Sequence, residues 1–215
     1  MRMTKLGHSC VRLEQDGRAV VLDPGIWSGP DALSGASAVL ITHEHADHLD
    51  AAVVRAALER DAGLELWTNA AVAGQFGDLG DRVHAVGHGD AFRAAGFDVR
   101  VYGHDHAPIH PDLPVVPNIG FAVQGKLFHP GDAFTIPDEP VETLLLPISA
   151  PWLKASETFD YARAVQPRVS YAIHDEVLNA NGIALIGQLA GVLLGSAGGG
   201  EGGYARLDPG SSVEI

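Results

Sequence analysis

One run constrains the architecture of this chain more than any other. The apolar AVLIT (38–42) passes directly into THEHADHLD (42–50) and then into DAAVVRAALERDAG (50–63), whose apolar residues recur at helical spacing until a glycine. The order is strand, polar cluster, helix, so the cluster caps the end of a strand. An extended backbone points His43 and His45 to the same side. Asp47 and His48 lie where the chain turns into the helix and face a neighbouring position. Imidazole and carboxylate both ligate divalent metals, so one such stretch can feed two adjacent ions. A lone histidine at a helix start is ordinarily a solvated polar group. Four coordinating side chains in six residues behind an apolar strand are harder to explain that way, because burying them without a cation leaves polar groups uncompensated.

The rest of the chain places this unit in a larger pattern. MRMTKL, CVRLEQ and RAVVLDPG, with a DG turn between the last two, read as a β-meander. LELWTN, a short helix near AAVAGQFG and a strand RVHAV continue in a βαβ rhythm. AFRAAGFDVRVYGH and NIGFAVQGKLFHPGDA read as hairpins on either side of the proline-rich HAPIHPDLPVVPN. A strand ETLLLPIS, a helix SETFDYARAVQ with Ser156 as N-cap, a strand RVSYAIH and a helix around IALIGQLAGVLL follow. The glycine-rich GSAGGGEGGYARLDPG reads as a flexible connection before one last edge strand. This order predicts an α/β fold, two sheets face to face with helices outside, and a single domain over residues 1–215.

Composition narrows the function. A formal charge of −13 without a lysine or arginine cluster disfavours nucleic acid. Cys10 is the one cysteine, which excludes an internal disulfide and a multi-cysteine metal site, and its place in a strand predicts a buried small residue. No segment has the apolar length of a membrane span, and the first residues lack a secretory pattern, so a soluble cytoplasmic protein is expected.

Further metal-ligand candidates follow later apolar runs, in YGHDHAPIHP, HPGDAF and SYAIHDE. With THEHADH first, then a histidine after a strand, then GD, then a strand-terminal histidine, nearly the whole chain resembles the metallo-β-lactamase-fold hydrolase superfamily. LGHSC and LDPG resemble its small single-domain branch, which includes ascorbate-phosphate lactonase-like proteins. The resemblance implies a four-layer αβ/βα sandwich of two mixed β-sheets flanked by helices. It implies a first metal held by His43, His45 and a histidine of GHDHAPIHP, and a second held by Asp47, His48 and His174. Asp132 would bridge them together with a water or hydroxide. Within GHDHAPIHP, His106 is favoured because it follows the strand at the motif's distance and precedes Ala107; His104, of the same strand-face parity, stays the alternative.

Asp23 of LDPG resembles an aspartate that orients a ligand histidine, and its other reading is a turn former before Pro24 and Gly25. His8 is a candidate pocket residue. So are Trp152 and Lys154 of SAPWLKASE, His110 with the prolines beyond it and, more weakly, Trp27; loop packing is the plain alternative for each. His84, His88 and His129 read as structural or solvated.

The implied chemistry is hydrolysis. Two ions about 3.5–4 Å apart activate a bridging hydroxide and stabilise developing oxyanion charge. With two carboxylates and the hydroxide, the centre sums to about +1 and attracts an anionic or carbonyl-bearing small molecule, a lactone or phosphate ester. Asp132 and Asp47 are the catalytic candidates, and either Asp47 or water on a metal is the proton donor to the leaving group. The nitrogen-rich ligand set suits zinc, with manganese or iron compatible. A catalytically silent metal-binding or sensing protein on the same scaffold is the competing expectation, and a homo-oligomer is left open.

Overall fold

The computed structural model describes residues 1–195 and 203–215. Much of the glycine-rich connection expected from the sequence, residues 196–202, lies outside the described residues. The first sheet is built from β1 (Arg2–Lys5), β2 (Val11–Gln15), β3 (Arg18–Leu22), β4 (Ala38–Ile41), β5 (Glu65–Thr68) and β6 (Val83–Ala85). The second is built from β7 (Ala91–Ala94), β8 (Phe97–Tyr102), β9 (Gly120–Val123), β10 (Leu127–His129), β11 (Thr143–Pro147) and β12 (Val169–Ile173). Helices α1 (Ala51–Arg60) and α2 (Ala70–Gly74) belong to the first half, α3 (Ala155–Val165) and α4 (Ala180–Leu193) to the second.

The closing segment serves both halves. Its two strands, β13 (Gly203–Ala205) and β14 (Ser212–Glu214), complete the orders β14-β1-β2-β3-β4-β5-β6 and β13-β12-β11-β10-β9-β8-β7. One last strand was expected here and two are present. β13 is only three residues long and lacks a β-branched residue, so it carries little strand signal.

Alternation along the strands explains the layers. Val20, Leu22, Ala38 and Leu40 face the second sheet, where they meet Val99, Val101, Phe121, Val123 and Leu145 in the central core. Val21, Val39 and Ile41 point the other way, onto Val54, Ala57 and Leu58 of α1 and Val72 of α2. On the second sheet Leu144 and Leu146 meet Phe159 and Ala162 of α3 and Ala190 of α4. The central strands are therefore apolar on both faces, which is why AVLI and TLLLP read as continuous runs. The result is the four-layer αβ/βα sandwich. Cys10 is fully buried, as its setting predicts.

The helix ends show where local chemistry overrode the expected pattern. Asp50 caps α1, its carboxylate accepting from Val53 N. For α3 the expected cap, Ser156, sits inside the helix; the cap is Lys154, whose backbone N–H donates to the Glu157 carboxylate at 3.2 Å. Asn179 caps α4, which starts at Ala180, earlier than its apolar run suggests. Among the described residues no helix is long and apolar enough to cross a membrane.

Candidate metal centre

Strand direction gathers the polar loops. β1 and β2 are antiparallel, as are β2 and β3, while β3 and β4 are parallel, so β1, β3 and β4 end at the same edge of the first sheet. In the second sheet β8, β10 and β12 likewise run one way. The loop after β1 carries His8, the residue after β3 is Asp23, and the turn after β4 carries His43, His45, Asp47 and His48. From the opposite sheet come His106 beyond β8, Asp132 beyond β10 and His174 directly after β12. Six strand ends thus converge on one seam.

Two glycines let the loops approach. A Cβ on Gly25 would lie 2.0 Å from the Asp47 carbonyl oxygen and 2.6 Å from His48 N, so the turn after β4 can rest on the LDPG segment only if residue 25 has no side chain. Gly131 is left-handed at φ 63°, and a Cβ there would lie 2.2 Å from Asn118 Oδ1. That same Oδ1 accepts from Asp132 N at 3.0 Å, while Asn118 Nδ2 donates to Pro130 O at 2.9 Å. Asp23 and His174 are left-handed at φ 48° and 60°, conformations with a cost of order 1–3 kcal/mol that the surrounding bonds sustain.

The side chains form three overlapping groups: His43, His45 and His106; His8, Asp47, His48 and His174; and His43, His48 and Asp132. Within each group the candidate ligand atoms lie within 4.8 Å of one another. Asp132 stands between the two sides, Oδ1 3.0 Å from His48 Nε2 and Oδ2 3.3 Å and 3.0 Å from His106 and His174 Nε2. Asp47 Oδ2 lies 3.3 Å from His174 Nε2.

Hydrogen bonds behind the rings fix how they face. His106 Nδ1–H donates to Ala107 O and His174 Nδ1–H to Ser149 O, each at 2.5 Å. His48 Nδ1–H donates to Asp23 Oδ2 at 2.6 Å. The Thr42 hydroxyl donates to the same Oδ2 at 2.7 Å and therefore accepts from His43 Nδ1–H at 3.0 Å. In all four rings Nδ1 is tied outward and Nε2 turns to the centre. His43, His106 and His174 Nε2 are buried without a hydrogen-bond partner, and His48 Nε2 has Ser9 Oγ at 3.4 Å beside Asp132. Buried, partnerless nitrogens aimed at shared carboxylates fit a bound cation, and the outward bonds are those that orient metal-binding imidazoles.

Electrostatics agree. Burial, reinforced by the neighbouring His48, holds His43 well below the usual imidazole range. Burial opposes ionisation of Asp132, but His48, with His106 and His174 close beside the carboxylate, outweighs it and keeps the carboxyl well below its usual range. Asp47 is likewise held low, burial being outweighed by the neighbouring His174 and His8 rings. Both carboxylates are thus ionised at neutral pH.

Residues 2–174 match the family model described as the beta-lactamase superfamily domain. The chain belongs to this superfamily. Protein Rv0786c of Mycobacterium tuberculosis is 40% identical over 191 residues, spanning 85% of this chain and 89% of that one. A UPF0173 metal-dependent hydrolase of Chelativorans sp. is 30% identical over 109 residues, 45% of this chain and 44% of the relative, so that match covers under half of either. The metallo-beta-lactamase fold protein YhfI of Bacillus subtilis superposes with a TM-score of 0.73 at 15% identity, covering 99% of this chain and 98% of that one. The fold of this superfamily member is accordingly the metallo-β-lactamase fold.

Not every residue singled out in the superfamily member's sequence reaches the centre. His104 is exposed, its ring tilted against that of His88 at 4.7 Å, and His110 is exposed with Nδ1 accepting from Asp112 N. The shared parity of His104 and His106 lapses because β8 ends at Tyr102; His106 N then bonds Val116 O while Asn118 N bonds His104 O, leaving His106 alone turned inward. Lys154 also falls outside: its side chain is exposed and lies 3.6 Å from Glu157. Trp152 does reach the centre, its indole Nε1–H donating to Asp132 Oδ2 at 2.8 Å. Trp27 lies edge-on to His8 at 4.8 Å. His129 is a buried brace, Nδ1 accepting from Gly131 N and Nε2–H donating to Ser9 O. His84 stacks on Trp67 at 3.8 Å, far along β6.

Sequence reasoning missed Asn118, which shapes the Asp132 loop, and Asn69, which donates to Thr42 O at 3.0 Å while capping α2. It also missed Lys5, buried behind His174, whose Nζ donates to Ala172 O and Asp175 Oδ1, both at 2.8 Å. Arg206 Nε completes that network on Asp175 Oδ2 at 2.7 Å. A lysine inside the strand MRMTKL was the available signal, since a charge on an inward strand position needs a partner.

Proposed function

We propose that this chain is a metal-dependent hydrolase that holds two divalent ions and cleaves an ester-like bond, a lactone or a phosphate ester, in a small molecule. The observation that carries the reading is the set of four buried imidazoles, each tied outward through Nδ1 and turned inward through Nε2, around the Asp132 carboxylate. The name of the Chelativorans relative, a metal-dependent hydrolase, supports the same reading. His43, His45 and His106 would hold one ion, Asp47, His48 and His174 the other, with Asp132 shared. Imidazole-rich donors with two carboxylates suit zinc and accommodate manganese or iron. When bound, such ions supply an activated water nucleophile and positive charge for a developing oxyanion.

The chain's own groups do the remaining work. Asp132 is held at two points, its backbone N–H by Asn118 and its Oδ2 by the Trp152 indole, which leaves Oδ1 turned toward His48 Nε2. Asp23 orients His48 directly and His43 through Thr42. Asp47 is the more exposed of the two carboxylates, 22% against 3%, and we assign it to take a proton from the attacking water and return it to the leaving group. Asp47 and Asp132 offset only part of the charge that two dications bring, so the centre draws an anionic or carbonyl-bearing substrate although the chain carries −13 overall.

The test is removal and restoration of metal. Chelation abolishes turnover of a lactone or phosphodiester and zinc restores it; turnover indifferent to chelation overturns the proposal. Metal-replete protein that cleaves nothing in a panel of lactones, phosphodiesters and thioesters instead supports a silent metal-binding or sensing protein.

A further inference from the structure

His8 is grouped by distance with the ion-holding side chains. Its Nε2 lies 3.4 Å from Asp47 Oδ2, its ring centre is 4.0 Å from that of His174, and the side chain is 1% exposed. Distance alone would make it a fourth donor beside Asp47, His48 and His174.

The protons say otherwise. Glu176 N lies 3.2 Å from His8 Nδ1 and donates to it. A backbone N–H can only donate, so Nδ1 is bare and the proton of this ring sits on Nε2. That is the reverse of His43, His48, His106 and His174, whose Nδ1 atoms carry the outward proton. A protonated Nε2 has no lone pair for a cation. It is also buried, with Asp47 Oδ2 3.4 Å away and no acceptor in hydrogen-bonding geometry. The ring is held in this posture from three sides: Glu176 N at Nδ1, the edge of Trp27, and the bond from His174 N to His8 O at 2.9 Å.

We propose that His8 is a catalytic hydrogen-bond donor rather than an ion ligand: its Nε2–H receives the anionic oxygen of the substrate, a phosphoryl oxygen or the oxyanion of an opened carbonyl. Such a donor aimed at developing charge from a buried, pre-fixed ring stabilises the transition state without reorganisation. The inference rests on the two-ion reading above.

The test uses the zinc-loaded full chain with inorganic phosphate as the probe, compared with His8→Ala and His8→Gln. Zinc per chain, by elemental analysis, is unchanged in both variants. Phosphate affinity, by calorimetry, falls about 10- to 100-fold in His8→Ala, the worth of a hydrogen bond to a charged group, and recovers in part in His8→Gln, whose amide can donate. Loss of a zinc equivalent in His8→Ala overturns the proposal, as does phosphate affinity that is unchanged in that variant or absent in the wild type. Nitrogen-15 NMR of the unaltered protein decides independently of variant folding: His8 Nε2 stays protonated on zinc addition, and loss of that proton overturns the proposal. Wild-type protein holding fewer than two zinc ions counts against the two-ion reading, while the NMR result still decides the role of His8.

Discussion

Replacing Asp23 by Asn changes one atom and removes a charge, yet it reaches both His43 and His48 of the candidate centre. Every partner of Asp23 is a donor: Thr42 N–H to Oδ1 at 2.8 Å, and the Thr42 hydroxyl and His48 Nδ1–H to Oδ2 at 2.7 and 2.6 Å. An asparagine offers one acceptor and one donor. With its NH₂ toward Oδ1 it confronts Thr42 N–H, leaving a buried donor unpaired at about 1–3 kcal/mol. With its NH₂ toward Oδ2 it donates to His48 Nδ1, which drives the His48 proton onto Nε2. The Thr42 hydroxyl then turns to donate to His43 Nδ1 and reverses that ring as well. Either arrangement predicts zinc affinity about 10–100-fold weaker, the usual cost of losing a group that orients a ligand. Calorimetric zinc titration of wild type and Asp23→Asn, with urea unfolding of the metal-free proteins, measures both terms. Zinc affinity within twofold of wild type together with unchanged stability would refute the reasoning, because it would mean that the proton positions on His43 and His48 are not set by Asp23.

Other outcomes follow from the same geometry. Gly25→Ala forces the Asp47–His48 backbone to retreat by about 1.4 Å from a 2.0 Å approach to an ordinary contact, so turnover should fall about 100-fold while far-ultraviolet circular dichroism stays unchanged; full activity would show that the turn is free to move. Lys5→Met leaves Asp175 with Arg206 as its remaining charged partner, and the urea midpoint should fall by the equivalent of about 3 kcal/mol, with no loss signalling that the buried pair contributes nothing net. In chelated protein, burial would lower His174, but the Asp132 and Asp47 carboxylates beside its Nε2 outweigh that and push it up to about 9. Its folded pKa is thus above the unfolded value near 6.5, so up to about 3 kcal/mol of stability is fully present below about pH 6.5 and lost as pH rises through about 9. Excess zinc opposes this trend, because the ion binds more tightly as the imidazole loses its proton; equal pH profiles with and without zinc would contradict the assignment.

The sequence and the structure agree where residues act through period or motif. AVLI and TLLLP announce doubly buried strands, and the motif histidines and Asp132 stand at strand ends because the loops there are the parts of the fold free of ladder pairing. What escaped is chemistry between distant loops. Asn118, Asn69 and Glu176 act through hydrogen bonds to other loops of the chain, and no local spacing marks them. Lys154 follows a strand at the correct end of the sheet, which made it a plausible pocket residue, but its backbone caps α3 and leaves the side chain in solvent. The choice between His104 and His106 turned on where β8 stops, a boundary that two residues of polar sequence could not define.

The strands β13 and β14 have a mechanical meaning. One short stretch near the end of the chain is stitched to the outer margin of each layer, and between the stitches Arg206 reaches Asp175, the immediate neighbour of His174. It works as a clasp across an otherwise open clamshell. Prising either sheet loose at that margin would slacken the other and tug on the catalytic cleft in the same movement.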